Sequence, residues 1–302
     1  MKIINHILLC LDLSEIDEDI VHYSAVIAKS FSVEKITLTH IIQPSDLPKK
    51  DEDSLNEVKN SIDEMISIEF ENFLKKELGE NMIINIYTQI AEDEGLEIIV
   101  SNVEDMNVDM LVIGQKYGEY RQKFHSRKPF AESDCDVLFV PENPPLQISR
   151  VLCAIDYSEV SKAAFAKAFY LHKNKNSDLI CYYLQDISRT YFPATTSTSE
   201  NYIQLKAKTE HRDFLSQFSL NPEDYPLKIG TGEQLTSEAE KLYKTADENK
   251  ADLIIIGASG KTSNETSLLG NIAETLRRMD TYIPIMITKD SGNKDLLTQL
   301  FS

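Results

Sequence analysis

The chain has 302 residues, 42% of them hydrophobic and 26% charged, with 31 Lys plus Arg against 49 Asp plus Glu and a formal net charge of −18. That length is near twice a common domain, so two domains are expected; the charge argues against nucleic acid or an anionic membrane as partner, and no apolar run approaches the ~20 residues of a membrane helix. The four cysteines, Cys10, Cys135, Cys153 and Cys181, show no CxxC or Cys/His spacing, and the N-terminus enters a strand without a small-residue cleavage pattern, so structural thiols, no signal peptide and a cytoplasmic setting are expected.

In chain order, runs rich in Ile, Leu and Val predict strands from about Ile3 to Leu11, Lys35 to Ile42, Ile83 to Gln89, Met110 to Gly114 and Val137 to Val140. Between the second and third, Leu55, Val58, Ile62, Met65, Ile66, Phe70, Phe73 and Leu74 recur at spacings of three and four and predict one helix from Ser54 to Leu78. Gly79 stops it, and its acidic opposite face reads as solvated surface. Pro129 interrupts the region where the last helix of this half should begin. Pro141-Glu142-Asn143-Pro144-Pro145 breaks regular structure and reads as a linker.

Beyond the linker the pattern returns. Ile7-Leu8-Leu9-Cys10-Leu11-Asp12-Leu13-Ser14-Glu15 recurs as Val151-Leu152-Cys153-Ala154-Ile155-Asp156-Tyr157-Ser158-Glu159, and Asp109-Met110-Leu111-Val112-Ile113-Gly114 recurs as Asp252-Leu253-Ile254-Ile255-Ile256-Gly257. Two matches at a nearly constant offset indicate a tandem duplication, with domains 1–143 and 148–290. Unbroken apolar strands alternating with amphipathic spacers indicate an α/β fold, each copy a doubly wound five-stranded parallel sheet with helices on both faces. Ligands of such sheets bind beyond the carboxyl ends of the strands, where strand order reverses. If Asp156, ending the first strand, and Gly257, ending the fourth, serve one site, those strands are neighbours and the order is 3-2-1-4-5 with right-handed connections.

The chemistry-bearing motif is Gly257-Ala258-Ser259-Gly260, then nine residues, then Gly270-Asn271, placed behind the strand Leu253-Ile254-Ile255-Ile256. Glycines at a strand-to-helix turn let backbone amides approach an anion, and the helix opening at Asn271 aims further amides at the same point. Gly260-Lys261-Thr262 invites a P-loop reading, but the glycine required five positions earlier is Ile255. A dinucleotide fingerprint is absent too, because neither Asp12-Leu13-Ser14 nor Asp156-Tyr157-Ser158 contains glycine. Residues 1–150 carry 14 basic and 29 acidic side chains, a net of −15, leaving −3 for residues 151–302, so the glycine-bearing half is the less hostile to a polyphosphate.

The Gly-x-x-Gly, nine-residue, Gly pattern, together with the aspartate ending the first strand and the duplicated layout, resembles the universal stress protein family in its two-domain form. The likeness covers the chain up to about Thr288; Asn271 stands where the family usually has Ser or Thr. The resemblance implies an ATP-binding stress-response or signalling module with nucleotide in the second domain only, taking ATP, AMP or another adenine nucleotide, with a magnesium ion admitted beside it. Gly257, Gly260 and Gly270 would approach the ribose and phosphates, and Ser259, Lys261, Asn271 and the amide of Ile272 would donate hydrogen bonds. Asp156 would contact the adenosine, and Leu184, ending the second strand, would offer backbone groups to the adenine. The family likeness also implies an intramolecular pseudo-dimer through the strands ending at Val140 and Ile287, with a further homodimer possible.

Three of these residues have a structural alternative. Asn271 with Glu274 forms a helix-capping box, Asp156 can cap the following helix, and Gly257 can serve close packing. In the first copy, Gly114-Gln115-Lys116-Tyr117-Gly118 has one residue too many between its glycines, and no glycine follows through Pro141, so that domain is expected to have kept the fold and lost the nucleotide. His6, His22, His40, His125, His172 and His211 show no metal-ligand spacing, and Ser14 and Ser158 lack a histidine partner, so a binding role is expected over catalysis. Two other functions remain open on the sequence: a ligand-free interaction scaffold, and a slow ATPase of the adenine-nucleotide α-hydrolase type, whose Ser-Gly-Gly-x-Asp-Ser loop is absent after both first strands. The apolar tail residues Leu296, Leu297, Leu300 and Phe301 form a short amphipathic segment without an assigned role.

Overall fold

The computed structural model describes residues 3–43, 52–91, 95–116, 135–183, 196–229, 237–258 and 271–289. By contact the chain divides into two compact units, Met1–Gln147 with Asp280–Pro284, and Ile148–Met279 with Ile285–Ser302.

In the first unit the elements are β1 (His6–Leu11), α1 (Ile16–Phe31), β2 (Lys35–Ile42), α2 (Glu52–Ile66), α3 (Asn72–Leu78), β3 (Ile83–Ile90), α4 (Gly95–Asp105), β4 (Met110–Gln115) and β5 (Asp136–Pro141). The strands lie in the order β3-β2-β1-β4-β5, and every pair is parallel. Successive strand residues point to opposite faces. Ile7, Leu8 and Leu9 are nevertheless all fully buried, so both faces of β1 are covered. That is why the central strand reads as a continuous apolar run, whereas β3 at the sheet edge leaves Ile83 and Tyr87 exposed.

The aspartate that precedes the fourth strand closes the base of this sheet. Asp109 Oδ2 accepts the amide hydrogens of Asn5 (2.7 Å) and His6 (2.9 Å), while the Asp109 amide donates to the His6 carbonyl (2.9 Å). The first strand accordingly starts at His6 and not at Ile3, although Ile4 is already fully buried.

The helix expected from Ser54 to Leu78 is interrupted by one wide π turn, Ser67–Glu71. Ile66 and Leu74 are both fully buried, yet residues eight apart stand about 80° apart on a regular helix. Absorbing one residue in a wide turn brings them to within about 20°, so the interruption keeps the apolar stripe on the core. The stop at Gly79 is as expected: its φ is 98° and its amide closes on the Lys75 carbonyl. Pro141, expected in the linker, is the last residue of β5, where no further ladder donor is required.

In the second unit the elements are β6 (Arg150–Ile155), α5 (Glu159–Lys175), β7 (Asp178–Tyr183), α6 (Thr196–Ser216), a 3-10 turn (Pro222–Asp224), β8 (Leu227–Ile229), α7 (Glu238–Glu248), β9 (Leu253–Gly257), α8 (Asn271–Arg278) and β10 (Ile285–Thr288). Its order is β8-β7-β6-β9-β10, again parallel throughout. This is third, second, first, fourth, fifth, the order of the first unit. Asp252 repeats the role of Asp109, with Oδ2 accepting the amides of Ser149 and Arg150, each at 2.8 Å. The left-handed residues recur as well: Leu13, Ser32 and Asn107 match Tyr157, Asn176 and Lys250. An aromatic layer distinguishes the second unit, with Phe165 and Phe169 of α5 packed against Phe214 of α6 and Tyr225.

Candidate functional site

Because β6 and β9 pair directly, the residues that follow their carboxyl ends meet on one rim of the sheet. Asp156 follows β6, and Gly257 closes β9. Of the expected site residues, these two and the start of α8, Asn271 and Ile272, fall within the described structure. Leu184, Ser259, Gly260, Lys261 and Gly270 lie outside it, as do Pro129 of the first copy and the tail beyond Lys289.

Asp156 organises its own turn. Its Oδ1 accepts the Ser158 amide (2.9 Å) and the Ser158 hydroxyl (2.5 Å), and its own amide donates to Ser161 Oγ (3.4 Å). Ser158 in turn accepts the Ser161 amide and caps α5. The residue between, Tyr157, is left-handed at φ 61°, which turns its ring into the aromatic layer against Phe214 at 5.3 Å. The cap of α5 is therefore Ser158 and not Asp156, which instead holds that serine in place.

Gly257 is also a packing residue. A Cβ there would stand 3.0 Å from Val160 Cγ1, 3.2 Å from the Val160 carbonyl carbon and 3.3 Å from the Ser161 nitrogen. The first turn of α5 thus rests on the end of β9. The first copy keeps the arrangement: a Cβ on Gly114 would meet Ile16 and Ile20 of α1 at 3.0 Å. Asn271 is the first helical residue of α8 rather than its cap, and Glu274 pairs with Arg278 at 2.7 Å.

The first copy fills the same rim with charge. Asp12 Oδ1 accepts the Ser14 hydroxyl (2.5 Å), and its Oδ2 pairs with Lys116, which follows β4. Where the second copy has Ser161, the first has Asp17, 1% exposed, whose carboxylate accepts the amides of Asp12 (3.2 Å) and Leu13 (2.7 Å). Burial pushes the Asp17 carboxyl up to about 6, and the neighbouring Asp12 carboxylate works in the same direction. Neither Lys116 nor Asp17 stood out in the sequence. Lys116 lies in the Gly114–Gly118 stretch, which read only as having one residue too many between its glycines.

No group of three or more His, Cys, Asp or Glu among the described residues is placed to hold a metal ion. Histidines are used locally: His6 bridges Thr37 Oγ1 (2.8 Å) and the Met106 carbonyl (3.2 Å), and His211 donates to the Tyr225 carbonyl (2.9 Å). Among the described residues no helix is long and apolar enough to cross a membrane.

The model of the universal stress protein family matches residues 147–279. A universal stress protein of Methanocaldococcus jannaschii is 27% identical over 140 residues, spanning 46% of this chain and 81% of that protein. Among solved structures, a universal stress protein from Archaeoglobus fulgidus superposes with a TM-score of 0.64 at 17% identity, covering 94% of this chain and 96% of that one. A functionally unknown protein from Pseudomonas aeruginosa superposes with a TM-score of 0.63 at 13% identity, covering 99% and 96%. At such identities the two structures share the fold. Over residues 147–279, the chain is thus similar to the universal stress protein family.

Proposed function

We propose that the second unit binds an adenine nucleotide, ATP foremost, while the first unit does not, and that the chain acts as a nucleotide-responsive stress or signalling module. The observation that carries this reading is the contrast at one rim position. In the first unit Asp17 adds a buried carboxylate beside Asp12, and Lys116 is spent on Asp12. In the second unit the corresponding residue is the neutral Ser161. A phosphate brought to the first rim meets two carboxylates; brought to the second it meets one, beside Gly257, which Gly260 and Gly270 follow in the sequence.

A scaffold that binds no ligand is the competing reading, favoured by the packing of Gly257 on Val160 and by Asp156 holding the Ser158 that caps α5, which account for both residues without a nucleotide. Calorimetry of the full chain with ATP and AMP, with and without magnesium, separates the two. One adenine nucleotide per chain, abolished in Gly260→Val and retained in Asp17→Asn, supports the proposal. Heat-silent titrations with both nucleotides leave the scaffold; binding that survives Gly260→Val moves the site elsewhere.

A further inference from the structure

The outer strands of the two units differ in how they are finished. β8 has three residues with the exposed Lys228 at its centre, β10 has four, and β5 has six and closes on Pro141. Short length, lysine and proline are the usual guards against a stray strand. β3 carries none of them. It runs for eight residues, Ile83-Ile84-Asn85-Ile86-Tyr87-Thr88-Gln89-Ile90, without a charge, a proline or a glycine. It does so within residues 1–150, where 14 basic and 29 acidic side chains net −15.

The hydrogen bonds to β2 fix which way each residue of β3 turns its backbone. The Ile83 amide donates to the Glu34 carbonyl at 3.2 Å, and further along the Ala91 amide donates to the Ile42 carbonyl at 3.0 Å. Between them Ile83 through Ile90 keep an unbroken parallel register with Lys35 through Ile42. The odd-numbered residues therefore direct their amides and carbonyls to β2, and Ile84, Ile86, Thr88 and Ile90 direct theirs outward. Among the described residues no strand lies on that outer side.

The side chains follow the same alternation. Ile83, Asn85 and Tyr87 stand exposed on one face, whereas the even-numbered set is the better covered, with α2 packed against the strand. Tyr87 is 38% exposed and yet held in place: Gln89 Nε2 donates to its hydroxyl at 3.0 Å, and the buried Asn102 of α4 donates to Gln89 Oε1 at 2.6 Å. An exposed ring fixed in this way has little freedom left to lose on contact. What the edge lacks is one extended strand, and among the chain's outer strands only another β3 matches its length.

We infer that β3 is a self-association surface, on which a second copy of the chain docks its own β3 antiparallel about a two-fold axis at Ile86. In that register Ile86 exchanges both backbone bonds with Ile86 of the second copy, and Ile84 does so with Thr88. On the open face Asn85 lies against Tyr87 of the second copy, and Ile83 against Gln89. No charge meets a charge, so the one uncharged strand of this edge joins two acidic chains without like charges in apposition. The pairing is isologous and uses up both edges, so it stops at two. It involves the first unit alone and needs no nucleotide.

The test is sedimentation of the full chain over a concentration series, in enough salt to screen the repulsion between two chains of charge −18, where a monomer–dimer equilibrium is expected. Two double variants at exposed positions probe the register. Asn85→Glu with Tyr87→Glu sets carboxylate against carboxylate at two places across the axis and should weaken the dimer by about tenfold or more. Asn85→Lys with Tyr87→Glu sets ammonium against carboxylate at the same places and should recover most of that loss. Hydrogen exchange supplies a signature that a dimer through another surface lacks. The amides of Ile84, Ile86 and Thr88 should exchange quickly in dilute protein and become protected as concentration rises, while those of Asn85, Tyr87 and Gln89 stay protected throughout. A chain that remains monomeric at every concentration, assembly that grows past the dimer, equal association of the two double variants, or outward amides already protected in dilute protein would each overturn the inference.

Discussion

Asp17 of α1 and Ser161 of α5 do the same work with different charge: each accepts the amide of the aspartate that follows the first strand, Asp12 at 3.2 Å and Asp156 at 3.4 Å. The serine does so neutrally, whereas the carboxylate is buried and titrates near pH 6.

A pH dependence of stability follows. The folded Asp17 carboxyl is raised from 3.8 to about 6, so between these values the folded state keeps a proton that the unfolded state has released. Its contribution is therefore most favourable below pH 4, weakens as pH rises through that window, and is fully unfavourable above pH 6. Asp17→Asn removes the dependence. Urea unfolding of the variant and the native chain at pH 4 to 7 should show the variant gaining, relative to native, by up to about 3 kcal/mol between the two ends. A constant difference across that range would refute it.

The close approach of Gly257 to Val160 predicts unequal costs for one substitution in two places. Gly257→Ala presses a methyl against the Val160 carbonyl carbon and the Ser161 nitrogen, backbone that cannot swing aside. Gly114→Ala meets first the side chains of Ile16 and Ile20. We expect Gly257→Ala to cost about 1–3 kcal/mol and Gly114→Ala less, by thermal and denaturant unfolding without nucleotide. Equal stability of Gly257→Ala and native protein would leave ligand approach as that glycine's role.

Asp109 and Asp252 predict a third pair. Each carboxylate takes two amides from the start of a first strand. Replacement by Ala strands both donors and should cost about 2–3 kcal/mol, while Asn retains an acceptor oxygen and should cost less than half as much. Urea midpoints of the four single variants measure this.

All four cysteines are buried, and burial raises the thiols of Cys10, Cys153 and Cys181, the last to about 12. A disulfide reagent at pH 8 should therefore modify these three only as fast as the protein opens, so that labelling rates rise with urea in step with unfolding. Stoichiometric labelling of the native chain within the mixing time would contradict their placement.

The fold was legible in the sequence because strands buried on both faces write themselves as apolar runs, and β2 matches its expected bounds from Lys35 to Ile42. The strand order followed from taking the strands ending at Asp156 and Gly257 as neighbours, and β6 and β9 do pair. What could not be read depends on contacts distant in sequence or on phase. The Lys116 partner lies 104 residues from it, at Asp12. The wide turn at Ser67–Glu71 answers an eight-residue spacing that a continuous helix would have misaligned. The Asp109 and Asp252 repeats were visible as letters, but their task appears only once the first and fourth strands lie side by side.

That task bears on how the protein is made. The amides of Asn5 and His6 leave the ribosome well before the carboxylate that receives them, which follows 104 and 103 residues later. Until β4 has been synthesised, β1 has no neighbour on that side, and its apolar residues must wait in the nascent chain. The same delay recurs between Ser149 and Asp252, so each unit is secured late in its own synthesis, and a pause just before either aspartate would expose a first strand that has nowhere to dock.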